Sequence, residues 1–177
     1  MEWYAMRVTY SRELKVQAVL RRLGIESFVP MRRGVTHGKE GLHFGLVPAI
    51  HNLIFVRSTQ EALSELKRGR EELASLRYMT RPLSETPNKH EIIIVRDTEM
   101  ENFIRVASVT DDRVMFLDSA VDEQVGKRVR ITDGYFAGVE GVVRRIKKNK
   151  HVVVSIEGCA SVAITYVPKQ SLMIVDS

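Results

Sequence analysis

The chain has 177 residues, 44% of them apolar and 28% charged, which suits one ordinary packed domain or two small ones and excludes disorder throughout. Its apolar runs, such as Ile92 to Val95 and Val152 to Val154, fall far short of the roughly 20 residues that cross a bilayer, so no membrane partner is expected. The formal net charge of +5 favours an anionic partner, because summed positive potential concentrates polyanions.

Trp3 to Tyr10 mixes aromatic and β-branched residues and reads as a strand, with Ser11 as the cap of a following helix. Val16, Val19, Leu20 and Leu23 recur at helical spacing, with Glu13 in the first turn, Arg21 and Arg22 in the last, and Gly24 at the stop. A second strand is expected over Ile25 to Pro30. From Met31 to Leu46 four glycines alternate with Arg32, Arg33, His37, Lys39 and His43, which predicts a mobile basic loop or ribbon tip. Asn52 to Arg57 is a short apolar strand, and Ser58-Thr-Gln-Glu61 fits a capping box for a helix from about Gln60, broken at Gly69.

Tyr78 to Arg81 predicts an edge strand, and Pro82 to Pro87 a connection. Thr98-Glu-Met-Glu101 is a second capping box, with Met100, Phe103, Ile104 and Ala107 as the stripe behind it. Asp111, Asp112, Asp118, Asp122 and Glu123 form an acidic, linker-like stretch, although Val114 to Leu117 has the composition to pair locally. Beyond it come five short apolar runs, Arg128 to Ile131, Val142 to Ile146, His151 to Ile156, Val162 to Val167 and Leu172 to Val175, which predict a small five-stranded β-barrel. The whole reads as α+β, an N-terminal α/β sandwich on an antiparallel sheet over residues 1–107, a linker over 108–124, and the barrel over 125–177.

Within Thr132 to Val143 three glycines stand within eight positions. Gly134, after Asp133, supplies a turn, and Gly138 and Gly141 permit a bulge or a close backbone crossing. A phosphate-cradling role lacks its motif, since neither Gly-x4-Gly-Lys-Ser/Thr nor Gly-x-Gly-x-x-Gly occurs.

Val129 to Val143 followed by Val152 to Ile164, with this glycine spacing, resembles the KOW domain of NusG-type transcription factors, whose barrel is SH3-like. Trp3-Tyr4, the helix to Gly24, Phe28-Val-Pro30 and Leu53-Ile-Phe-Val56 are similar to the N-terminal domain that precedes it in that family. The resemblance implies an elongation or antitermination factor whose first domain binds the clamp helices of RNA polymerase and bridges the DNA cleft. By position it implies that Tyr4, Leu53, Phe55 and Tyr78 line the apolar polymerase-binding face; the same residue types are as commonly buried in a core. Glu157 and Cys159 depart from the general factor's pattern around Gly158, which puts contacts to Rho or a ribosomal protein in doubt. The basic segment 31–46 and Ala49-Ile-His51 depart as well, and resemble specialised paralogues of the RfaH or capsular-polysaccharide-operon type.

Arg12, Lys15, Arg32, Arg33, Lys67, Arg68 and Arg70 are candidates for non-template DNA, because phosphate contacts give salt-sensitive affinity without reading bases. Solvated helix faces account for the same charges. Lys127, Arg128, Arg130, Arg144, Arg145, Lys147, Lys148 and Lys150 cluster more densely, suiting nascent RNA or a ribosomal protein. An RNA-binding or ribosome-associated KOW protein is therefore the alternative.

His37, His43, His51, His90 and His151 have no metal-ligand spacing and are read as surface or loop residues. The single cysteine, Cys159, has no disulfide or Cys-x-x-Cys partner. No nucleophile elbow is present. Neither an enzyme nor a cofactor is expected. The start, Met1-Glu2-Trp3-Tyr4, has no basic leader before an apolar core, so a cytoplasmic location is expected. A monomer is expected.

Overall fold

Trp3, Tyr4, Ala5 and Met6 are consecutive and all buried. Successive side chains of a strand point to opposite faces, so the strand they form has to be covered on both. The computed structural model describes residues 1–38, 41–83, 86–117 and 126–175. In chain order its elements are β1 (Glu2–Arg7), α1 (Glu13–Arg22), β2 (Ser27–Phe28), β3 (Met31–Gly38), β4 (Gly41–Pro48), β5 (Leu53–Ser58), α2 (Gln60–Gly69), β6 (Arg77–Tyr78), β7 (Thr80–Leu83), β8 (Thr86–Ile92), β9 (Ile94–Val95), α3 (Asp97–Ala107), β10 (Val114–Phe116), β11 (Arg128–Ile131), β12 (Glu140–Ile146), β13 (Asn149–Ile156), β14 (Ala160–Ile164) and β15 (Leu172–Ile174). The fold is mixed α+β, and its sheets are antiparallel.

The chain divides into two compact units, the first comprising Met1–Pro30 and Ile50–Met100, the second Met31–Ala49 and Glu101–Ser177. In the first, β1 is the central strand of the order β2-β5-β1-β6, and β9 also pairs with it. Arg7 and Met6 pair with β6 while Trp3 and Tyr4 pair with β9, so the two short strands share one edge of β1. Backbone bonds from Met79 N to Ala5 O (2.9 Å), Ala5 N to Ile93 O (3.3 Å) and Ile93 N to Met79 O (2.9 Å) close the gap between them.

Helix α1 buries Val16, Val19 and Leu20, and Gly24, at φ 69°, stops it in the left-handed conformation that glycine adopts freely. Ser11 is not its cap: Arg12 occupies that position without a side-chain bond, and Ser11 is itself left-handed. Thr59, one residue after the expected Ser58, caps α2 by accepting from Ala62 N at 3.2 Å. Helix α3 starts at Asp97, which places Thr98 inside its first turn. The stretch expected as a connection around Pro82 forms a second hairpin, β7 with β8, though residues 84–85 lie outside the described ones.

In the second unit, of the two expectations for residues 31–46, a mobile loop or a ribbon tip, the ribbon holds: β3 runs against β4 in unbroken register from Met31–Pro48 to Gly38–Gly41; Lys39 lies outside the described residues. The remaining strands form one sheet in the order β10-β14-β13-β12-β11-β15. This corrects the five-stranded barrel: there are six strands in a linear order, and among the described residues no pairing joins β10 to β15. The sixth is Val114–Phe116, inside the stretch expected as a linker, and it pairs with Ala160–Ile164. Its approach is fixed by Arg113, whose guanidinium grips Asp111 at 2.7–3.1 Å, holds that carboxyl down at about 2, and lies 4.6 Å from the Tyr135 ring centroid. Asp118, Asp122 and Glu123 lie outside the described residues.

The glycines expected at the turns have different tasks. Gly138 is left-handed at φ 88° and donates its N–H to Ile131 O at 2.7 Å, turning the chain back onto β11. Gly141 lies inside β12, where a Cβ would stand 2.5 Å from the carbonyl oxygen of Val153. Gly141→Ala is therefore expected to destabilise the protein by about 1–3 kcal/mol in urea denaturation. Gly45→Ala, where a Cβ meets nothing within 4 Å, is expected to shift stability by less than about 0.5 kcal/mol.

Candidate functional site

The register of the first sheet decides which of the four expected interface residues act together. Directly opposed residues of an antiparallel pair share a face. Met6 opposes Ile54 and Tyr78, and Tyr4, two residues from Met6, opposes Val56. Ala5 opposes Phe55, and Arg7 opposes Leu53. Tyr4 and Tyr78 therefore share one face of the sheet, and Leu53 and Phe55 the other. Tyr4, Leu53 and Phe55 are buried and Tyr78 is half-buried. The expectation that all four line one face is corrected: both sides of β1 and β5 are covered.

The Tyr4–Tyr78 side has a defined chemistry. The two rings meet edge to face, their centroids 5.5 Å apart at 68°. The Tyr4 hydroxyl donates to Glu2 Oε2 at 2.8 Å. Burial, reinforced by the Glu2 carboxylate, pushes the Tyr4 phenol up to about 12, and burial raises Tyr78 too. Lys67 of α2 sets its ammonium 5.2 Å from the Tyr78 ring centroid. Burial, and then the nearby Arg77, lower the pKa of that lysine.

Next to this sheet lies a strained knot that was not expected. Tyr10, Ser11 and Asn52 all have positive φ, at 61°, 51° and 62°, rare for residues with a side chain. Ser11 N donates to Asn52 Oδ1 at 3.0 Å, Val8 N to Asn52 O at 2.9 Å, and Asn52 N to Glu13 Oε1. Glu13 is buried, and its Oε2 has no hydrogen-bond partner among the described residues. The knot pushes the Tyr10 ring out to 83% exposure, with the Arg12 guanidinium 5.7 Å from its centroid. The exposed aromatic beside an arginine was the available signal; the left-handed backbone that presents it has none in these residue types.

Of the expected nucleic-acid contacts, Arg12 and Lys15 are exposed at the start of α1, and Lys67, Arg68 and Arg70 stand at the end of α2, where Arg68 Nε donates to Ser64 O at 3.3 Å. Arg32 and Arg33 belong to the second unit, on opposite faces of the β3–β4 ribbon. The seven do not form one cluster within either unit.

In the second unit, Gly134 is left-handed at φ 81°, and its N–H meets Asp133 Oδ1 at 2.7 Å. Of the dense basic group, Arg130 (2.9 Å) and Arg128 (3.4 Å) bind Glu140, and the Arg130 bond first of all holds that carboxyl below the usual range. Arg144 opposes His151 across β12 and β13; Arg144 Nη2 and His151 Nδ1 are both buried without a hydrogen-bond partner among the described residues. His151, expected on the surface, is buried because it lies within β13. Cys159 is half-buried. Among the described residues no group of three or more His, Cys, Asp or Glu is placed to hold a metal ion. None of their helices is long and apolar enough to cross a membrane.

The family model described as "Transcription termination factor nusG" matches residues 1–104. No curated protein matches the chain. Among solved structures, a crystal structure of the MjSpt4:Spt5 complex in conformation B is similar at 14% identity over 99% of this chain and 97% of that one, with a TM-score of 0.30, too low to carry any inference.

The Tyr4 environment predicts a titration. Because its phenol is raised to about 12, the stability it contributes is fully present below the ordinary tyrosine value near 10 and is lost as pH rises through about 12. The difference in absorbance at 295 nm between the native protein and Tyr4→Phe is expected to develop only around pH 12, before or with unfolding.

Proposed function

The chain belongs to the NusG family of non-enzymatic transcription factors, and from that premise we propose that it is an elongation and antitermination factor that binds RNA polymerase and raises its processivity. The match over residues 1–104 is the observation that carries this reading. We assign polymerase binding to a domain spanning residues 1–107 and read residues 125–177 as a KOW domain of SH3-like kind, with 108–124 as the connecting segment whose strand β10 adds to its sheet. The departures at Glu157, Cys159 and the ribbon favour a specialised paralogue, of the RfaH or capsular-polysaccharide-operon type, acting as a monomer on particular operons.

Such a factor needs no catalytic group. It acts by binding one arrangement of polymerase and DNA better than the paused arrangement, and it shifts the population by that difference in affinity alone. Half-buried Tyr78, backed edge-on by Tyr4 and overlaid by Lys67, is the member of the four best placed to contribute to a helix-in-groove contact. Leu53 and Phe55 support the sheet from its other face. Arg12, Lys15, Arg68 and Arg70 are free to meet phosphates of the non-template strand, with Tyr10 beside Arg12 as a stacking surface.

The second reading, an RNA-binding or ribosome-associated module, draws on Lys127, Arg145, Lys147, Lys148 and Lys150, which make no ion pair among the described residues. Single-round transcription through an intrinsic terminator separates the two. Added protein is expected to raise read-through, and Tyr78→Glu to abolish the gain while the chain remains folded by far-UV circular dichroism at the assay temperature. Unchanged read-through combined with tight filter binding to naked RNA would reverse the order of the two readings.

A further inference from the structure

The β3–β4 ribbon carries the most exposed aromatic side chain described, Phe44, at 87% exposure. Register assigns its neighbours. Val35 opposes Phe44, Arg33 opposes Leu46 and His37 opposes Leu42, so these six side chains share one face of the ribbon. Val35 (46%), Leu42 (61%) and Leu46 (54%) are exposed along with Phe44. Arg33 and His37 are four residue steps apart along the strand, about 13 Å at the usual rise, with the Val35–Phe44 pair midway between them. The described ribbon residues include two arginines and two histidines but no Asp or Glu; the carboxylate that Arg33 influences is Asp111, which Arg113 already holds. On its opposite face Gly34 opposes Gly45, which keeps the ribbon thin.

An exposed apolar strip of this size on a soluble protein marks a contact site. A narrow strip with one prominent aromatic ring flanked on one diagonal by an arginine and on the other by a histidine has the features that hold a single nucleic-acid strand: a π-face for a base, a guanidinium for one phosphate and a ring N–H donor for the next. We infer that this face of the ribbon binds a single nucleic-acid strand, Phe44 stacking one base while Arg33 and His37 meet the flanking phosphates. The inference deepens the proposed function and rests on it for the source of the strand. It adds Phe44, Val35 and His37, which neither the family match nor the charge pattern assigns.

The test is fluorescence anisotropy of the full chain with labelled oligo-dT and oligo-rU at about 50 mM salt, where phosphate contacts are strong. Phe44→Ala and Phe44→Leu are each expected to weaken binding by at least about fivefold, and Phe44→Trp to retain it, since the ring and not its hydrophobicity is used. Arg33→Ala is expected to weaken binding and lower the salt slope by about 0.7. Preference for either probe supports the site and tells DNA from RNA as the source. Wild-type affinity in Phe44→Ala, or in Phe44→Leu, overturns it; if Phe44→Ala instead weakens only the association with core polymerase, the ribbon is a protein-docking surface. Loss of strand binding in Phe44→Ala with no polymerase binding by the native chain would leave the site standing and sink the polymerase reading alone.

Discussion

Covering β1 on both faces is the constraint from which the first unit is built. Four consecutive buried residues, Trp3 to Met6, put apolar surface on both sides of one strand, and no single layer can bury it. The same strand supplies three sets of backbone partners, in β5, β6 and β9, so its hydrogen-bonding groups are matched along both edges. Everything recognised by another molecule has to project from the margins of this arrangement. Tyr78 stands on the short edge strand, Tyr10 on the turn leaving β1, and the α2 cations at a helix end. Central residues such as Phe55 instead fix the position of those margins.

The electrostatics sort the basic residues into two groups. Arg57, Arg113, Arg128 and Arg130 are held by carboxylates, and their ion pairs pull the partners' titration in the expected direction where Asp111 and Glu140 are concerned. Exposed pairs of this kind add little stability, but they remove those guanidinium groups from the pool available to phosphates. Arg12, Lys15 and Arg68 make no such ion pair among the described residues and keep their charge available; Arg33 makes none there either, although it lies in the field of the Asp111 carboxylate. Net charge alone would have credited all of them equally.

The helices were legible because several local signals agreed: apolar spacing, acidic first turns, basic last turns and glycine at a stop. Their caps were displaced by one residue or lost, since Ser11 was drawn into the bond with Asn52, a contact 41 positions away in sequence that no local pattern encodes. Four glycines and scattered cations mask the alternation of the ribbon, so a loop and a ribbon tip were equally legible there; its register becomes visible only with both strands aligned. The apolar composition of Val114–Phe116 was legible amid the acidic residues around it, but its partner, Ala160–Ile164, is distant in sequence and no local pattern encodes that pairing. For the candidate site, the residue types at Tyr4, Leu53, Phe55 and Tyr78 were readable, and their division between two faces was not. That division follows from pairing across strands, which has a period of two and reverses with a one-residue slip.

The account stands most directly on association with the transcribing enzyme. Sedimentation of the labelled full chain with core RNA polymerase at low salt is predicted to give a complex with one copy of the chain, retained when Arg33 and Phe44 are replaced by alanine and lost in Tyr78→Glu. A correctly folded chain that sediments alone at every polymerase concentration would contradict it.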